Sequence, residues 1–169
     1  MSEHVTRLEI DSKALLHNLS YFKQKLQTNT KILAVVKAFG YGSDGTLVAK
    51  FLQDKVDYFA VAYTEEGIAL REAGVKTPIL VLHPQIPNLA SLIDHCLEPN
   101  LYNRQILEDF IRITSRKQLK HYPVHIKINT GLNRLGFKSN QISEIGSLLT
   151  NNLSVKVISF FSHLAASED

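Results

Sequence analysis

The 169 residues carry 19 basic and 16 acidic side chains for a formal charge of +3, and are 44% hydrophobic and 21% charged, the composition of one globular domain rather than a disordered chain. No basic run interleaved with aromatics is present, which argues against a nucleic-acid surface, and no apolar run approaches the roughly 20 residues that span a bilayer. The single cysteine, Cys96, excludes an intramolecular disulfide and a zinc cluster, so nothing asks for an oxidising compartment and a cytoplasmic location is expected.

Taken in order, Thr6 to Ile10 reads as a short strand, followed by Asp11 or Ser12 as a cap ahead of Leu15, Leu16, Leu19, Phe22 and Leu26 at helical spacing. Lys31 to Ala38 is the first strongly buried strand. Asp44 then caps a helix that presents Leu47, Val48, Phe51 and Leu52 on one face. Tyr58 to Tyr63 is a second strand, and the Thr64-Glu65-Glu66-Gly67 opening of the next helix places acids on its positive end. Thr77 to His83 is a third strand, with a helix through Leu89, Leu92 and Ile93, and Leu97 to Tyr102 is a weaker fourth. A long amphipathic helix from Asn103 to about Lys120 precedes a fifth strand, Val124 to Asn129. A helix from Asn140 to about Leu149 and a sixth strand, Val155 to Phe161, complete the pattern.

Strands alternating with helices, each strand a near-continuous apolar run, predict a parallel sheet covered on both faces. The leading architecture is an α/β fold, a parallel (β/α) TIM-type barrel. Closing eight strands takes about 250 residues, so the chain is expected to form an incomplete barrel of about six βα units. No repeat or linker divides it, and residues 1–169 read as the N-terminal part of one domain.

The stretch Ala34-Val35-Val36-Lys37-Ala38-Phe39-Gly40-Tyr41-Gly42-Ser43-Asp44-Gly45 runs an apolar strand into one lysine and then a glycine-broken turn. A lysine at the carboxyl end of such a strand sits where α/β folds place their chemistry, and burial favours its neutral, nucleophilic form. Taken alone, Lys37 reads more simply as a strand end reaching solvent. The glycines allow close backbone approach to a ligand, and Tyr41 adds a hydroxyl, which together suit a phosphate-bearing aldehyde.

This stretch resembles the pyridoxal-phosphate lysine motif of the alanine racemases. The resemblance implies that Lys37 carries the cofactor as a Schiff base and that Tyr41 contacts its phosphate. On the fifth strand His125, Lys127 and Asn129 alternate with Ile126 and Ile128, a polar face that fits either a concave site or a wet edge strand. Lys127-Ile128-Asn129-Thr130-Gly131-Leu132-Asn133-Arg134-Leu135-Gly136 is similar to a second racemase motif, with Asn129 in place of the usual aspartate. By that resemblance Arg134 donates to the cofactor's phenolic oxygen and lies near the substrate carboxylate. A protonated Lys127 within about 4 Å of Arg134 would be repelled by roughly 4 kcal/mol at an effective dielectric of 20. The family's matching lysine is carboxylated, which the resemblance extends to Lys127 beside the alternative of a neutral or solvent-reaching amine. Ser162-His163-Leu164-Ala165 resembles a third racemase signature, whose histidine lies against the pyridine ring; Glu168 and Asp169 continue it weakly. His83 and Tyr102 also end strands and read more simply as loop residues.

The resemblance implies interconversion of L- and D-alanine for peptidoglycan synthesis by a pyridoxal-5'-phosphate-dependent homodimer acting on a small amino acid. Lys37 would work one face of the substrate and a tyrosine of a C-terminal β-domain, absent here along with the last barrel strands, the other. Two rivals stand beside this. One is another pyridoxal-phosphate barrel, such as an amino-acid decarboxylase or a cofactor-homeostasis protein; the other is a non-catalytic cofactor-binding or interaction module.

Overall fold

The computed structural model describes Thr6 and residues 8–166. Helix α1 (Ser12–Lys25) begins at its expected cap, where Asp11 Oδ1 accepts from the backbone N–H groups of Lys13 and Ala14 at 2.8 and 3.2 Å, satisfying two donors the first turn leaves open. Its Leu15, Leu16 and Leu19 pack on the core. The strand expected over Thr6–Ile10 is not seen among the described residues: Leu8 and Ile10 are exposed and belong to none of the sheet's strands, and Arg7 lies outside the described residues.

Six strands follow: β1 (Leu33–Val35), β2 (Tyr58–Val61), β3 (Ile79–Val81), β4 (Glu98–Leu101), β5 (Tyr122–Lys127) and β6 (Val155–Phe161). They form one sheet in the order β1-β2-β3-β4-β5-β6, every neighbouring pair parallel. The connections carry α2 (Lys37–Tyr41), α3 (Gly45–Leu52), α4 (Thr64–Glu72), α5 (Leu89–Asp94), α6 (Arg104–Arg116) and α7 (Ile142–Thr150), as parallel strands require. The first strand is shorter than its apolar run, because the chain turns at Lys37; Val36 still donates to Ala60 O at 2.9 Å.

The core lies between the sheet's outer face and the helices. Phe59 and Val61, Ile79 and Val81, Val124 and Ile126 alternate outward, and Leu89, Leu92, Ile106, Leu107 and Phe110 meet them, all essentially inaccessible to water. Each such side chain contributes about 1.5–3 kcal/mol. Helix α6 shows why the sequence folds this way: Ile106, Leu107, Phe110 and Thr114 form one buried stripe, and Asn103 caps it by accepting from Ile106 N–H at 2.9 Å. At the opposite end of the strands from Lys37, the Arg71 guanidinium donates to the carbonyls of Val75, Thr77, His95 and Cys96. Its pKa is lowered by that burial.

The sheet curls, so that Leu33 and Val35 of β1 and Ser159 and Phe161 of β6 face the same cavity. Among the described residues β1 and β6 each pair with one neighbour. Strand β5 sits inside the sheet, with His125 3% and Lys127 7% exposed, which excludes the wet-edge reading. No helix among the described residues is long and apolar enough to cross a membrane.

Candidate active site

The floor of the cavity is a closed set of polar partners. Inward-facing Glu98 of β4 accepts from Tyr58 OH at 3.2 Å and meets His125 Nε2 at 2.8 Å, while His125 Nδ1 lies 2.7 Å from Ser159 Oγ. Tyr58 also stands edge-on to the His125 ring, with centroids 5.6 Å apart. Burial, then the Glu98 charge, pushes the Tyr58 phenol up to about 12. Buried polar groups persist when each finds a partner, and these four satisfy one another.

The rim, at the carboxyl ends of the strands, is built differently. After Val36 the backbone enters the left-handed region at Ala38, Phe39, Gly40 and Tyr41, with φ of 52°, 54°, 61° and 55°. Each non-glycine residue held there costs about 1–2 kcal/mol. Close packing enforces the turn: a Cβ on Gly40 would lie 2.8 Å from Gly45 N, and one on Gly45 would lie 2.6 Å from Val36 O. Asp44 caps α3 by accepting from Thr46 and Leu47 N–H at 3.1 Å each. The turn leaves Lys37 half-buried and Tyr41 67% exposed at the mouth.

Across the mouth, Arg134 lies on a loop that leaves and rejoins β5. Phe137 is fully buried; its N–H donates to Lys127 O at 2.8 Å, and its carbonyl accepts from Asn129 N–H at 2.9 Å. Gly136, at φ 126°, lies so close that an added Cβ would meet Asn129 N at 2.7 Å. Asn129 lies beyond the strand, so the expected third polar position of that face is instead the organiser of the loop. Its Oδ1 accepts from Gly131 and Asn133 N–H at 3.1 and 3.0 Å, and its Nδ2 donates to Asn133 Oδ1 at 2.8 Å. A hydrogen bond between Thr130 and Ser162 ties this loop to the segment carrying His163.

Lys37, Tyr41, Lys127, Arg134 and His163 thus line one cavity of about 780 Å³, a size suited to a small ligand. The deep burial expected at Lys37 falls on Lys127, whose ammonium also stands 5.3 Å from the Phe161 ring centroid. Desolvation first, then the charges of Arg134 and Lys37, lowers the Lys127 pKa. Among the described residues none of the three cations pairs with a carboxylate. Such a cluster fits an anionic aldehyde: an amine for the carbonyl, and fixed positive charge for phosphate and phenolate. No group of three His, Cys, Asp or Glu side chains among the described residues could hold a metal ion.

Several features escaped the sequence reading. Glu98 sits in the weakest of the expected strands, a charged residue whose partner His125 lies 27 positions away in sequence. His83, read as a loop residue, lines the cavity, stacked 5.4 Å from Tyr102 and edge-on to Tyr63 at 5.7 Å. The left-handed turn was signalled only by its glycines. Glu168 and Asp169 lie outside the described residues.

Residues 10–169 match the family model "Alanine racemase, N-terminal domain". The chain is 38% identical over 167 residues to alanine racemase 1 of Caldanaerobacter subterraneus subsp. tengcongensis, covering 97% of this chain and 43% of that protein. Against the Synechocystis alanine racemase it is 38% identical over 165 residues, 96% of this chain and 44% of that one. The solved Clostridium difficile alanine racemase in complex with cycloserine superposes with a TM-score of 0.84 at 33% identity, over 90% of this chain and 43% of that one. The chain therefore spans less than half the length of these relatives, and it belongs to the alanine racemase N-terminal domain family.

Proposed function

We propose that this chain is the cofactor-binding part of a pyridoxal-5'-phosphate-dependent isomerase that interconverts L- and D-alanine. The observation that carries the reading is the convergence of Lys37, Lys127 and Arg134 on one cavity without a carboxylate partner among the described residues, in a chain whose family relatives are named alanine racemases. Pyridoxal phosphate, when bound, supplies the electron sink that acidifies the amino acid's α-carbon.

The chain's own residues do the rest. Lys37 Nζ would hold the cofactor and, once released, would take and return the α-proton on one face of the substrate. Tyr41, displayed by the left-handed turn, holds phosphate through its hydroxyl. Arg134 offers a permanently charged planar fork to the phenolic oxygen and to the substrate carboxylate. The lowered pKa of Lys127 makes its neutral amine more accessible, the form whose nitrogen would add to carbon dioxide with release of one proton to solvent. The resulting carbamate would convert the repulsion of Arg134 into an ion pair. His163, which lines the same cavity, would pack against the cofactor's ring. Exchange on the opposite face needs a second base, assigned in this reading to a tyrosine from outside these residues in an assembled homodimer. A cytoplasmic site of action and D-alanine supply for peptidoglycan belong to the same reading.

The test mixes purified chain with pyridoxal phosphate, follows the visible absorption band of the bound cofactor, and assays D-alanine formation in parallel. A band without turnover is the expected result. Turnover by these 169 residues alone contradicts the need for a second base from elsewhere, and absence of a band contradicts the reading.

A further inference from the structure

The acids that open α4 were read from sequence only as companions of the helix's positive end, yet one of them reaches much further. Glu66 Oε2 accepts from the N–H groups of Ala62 and Tyr63, at 2.6 and 3.2 Å, which finishes β2 and caps α4. Its other oxygen, Oε1, accepts from Ala38 N–H at 2.7 Å, across 28 positions of sequence. One half-buried carboxylate therefore joins the end of β1 to the end of β2. Ala38 is the first left-handed residue of the turn and the immediate neighbour of Lys37. On its other side Lys37 follows Val36, whose N–H is held by Ala60 O at 2.9 Å. Lys37 thus lies between two held neighbours, Val36 by sheet pairing with β2 and Ala38 by Glu66 of α4. The turn's remaining backbone bonds, Gly40 N–H to Val36 O, Gly42 N–H to Phe39 O and Ser43 N–H to Gly40 O, are local and would move with the turn. A strained backbone segment persists only when its surroundings over-determine it.

We propose that Glu66 is a positioning residue for Lys37: by accepting from Ala38 N–H it holds the left-handed turn and aims the lysine amine into the cavity. This rests on the reading of Lys37 as the cofactor-bearing amine. It makes the two backbone ends one unit, so that the amine and the Tyr41 hydroxyl keep a fixed relation whether or not ligand is bound.

The experiment compares wild type with Glu66→Gln. The glutamine has a single carbonyl oxygen, which continues to serve Ala62 and Tyr63, and its NH₂ opposes the Ala38 N–H. Two readouts are taken, amide hydrogen exchange at Ala38 without cofactor, and affinity for pyridoxal phosphate from titration of its visible band. The expected result is that Ala38 exchanges about tenfold faster and that cofactor affinity falls by roughly the same factor, as for the loss of one charge-assisted bond, while exchange at Phe59, Val81 and Val124 is unchanged. Asn103→Ala, which removes the cap of α6, is the stability control: it lowers the melting temperature and leaves both readouts where they were. Unchanged Ala38 exchange overturns the clamp, and faster exchange with unchanged affinity overturns its positioning role. A wild-type chain that forms no band overturns the reading of Lys37 and the positioning role with it. A band equally strong in wild type and Glu66→Gln overturns the positioning role alone. Should Glu66→Gln fail to fold, the same comparison is made in an Ala38→Gly background, where glycine relieves the left-handed strain.

Discussion

The floor and the rim of the cavity are both polar, both buried in part, and only a few residues apart along the same strands, yet they are opposite in kind. At the floor, Glu98, His125, Tyr58 and Ser159 partner one another. At the rim, Lys37, Lys127 and Arg134 face each other as like charges, with no carboxylate among the described residues to neutralise them. His125 and Lys127, two positions apart on β5, belong to different regimes. A partnered network stabilises a fold; an unneutralised one stores repulsion that a ligand of opposite charge can relieve. The rim is therefore the end to which the proposed function assigns the chemistry.

The comparison breaks most visibly at Glu98. Glu98→Ala leaves the part-buried Tyr58 hydroxyl and the buried His125 imidazole without their shared acceptor and is expected to cost about 2–5 kcal/mol, at roughly 1–3 for each group left unpaired. Gly45→Ala, whose new Cβ would lie 2.6 Å from Val36 O, is expected to cost about 1–3 kcal/mol by overpacking and to displace the Lys37 turn. Lys127→Met tests the rim with the opposite sign. It removes a desolvated, repelled charge and is expected to be neutral or to stabilise by about 1 kcal/mol. Urea unfolding measures all three, and a Lys127→Met that destabilises as much as Glu98→Ala would erase the distinction.

A smaller effect sharpens it through pH. Tyr58 titrates near 10 when unfolded and at about 12 in the fold. Between those values the unfolded chain has lost a proton that the folded chain keeps, so stability falls as pH rises. Tyr58→Phe should cost about 1 kcal/mol at neutral pH and make that fall shallower. Part of the fall persists, because burial also raises the Tyr122 phenol. Lys127 runs the other way. Its folded pKa lies below 10.5, so the folded chain releases a proton first and stability rises with pH up to that point, a rise that Lys127→Met should abolish. Unfolding free energies across the alkaline range read both slopes.

The six strands, the order of the helices and the gathering of Lys37, Tyr41, Lys127, Arg134 and His163 were legible because apolar runs, caps and three motifs are local signals. What was not legible depends on pairs distant in sequence. Glu98 meets His125 across 27 positions and Glu66 meets Ala38 across 28, and no local period announces either. Leu8 and Ile10 alternate as a strand's residues do, yet both are exposed and lie outside the sheet. Lys37 looked like the buried amine because it ends an apolar run; the left-handed turn lifts it to half-burial, and the interior position of β5 buries Lys127 instead.

The most direct test of the central claim is where the cofactor attaches. The chain is incubated with pyridoxal phosphate, reduced with borohydride, digested and mapped by mass spectrometry, in wild type and in Lys37→Ala. A single adduct on the Lys37 peptide, absent from Lys37→Ala together with the visible band, is the predicted result. An adduct on Lys127 or spread over surface lysines, or a band that persists in Lys37→Ala, would contradict it.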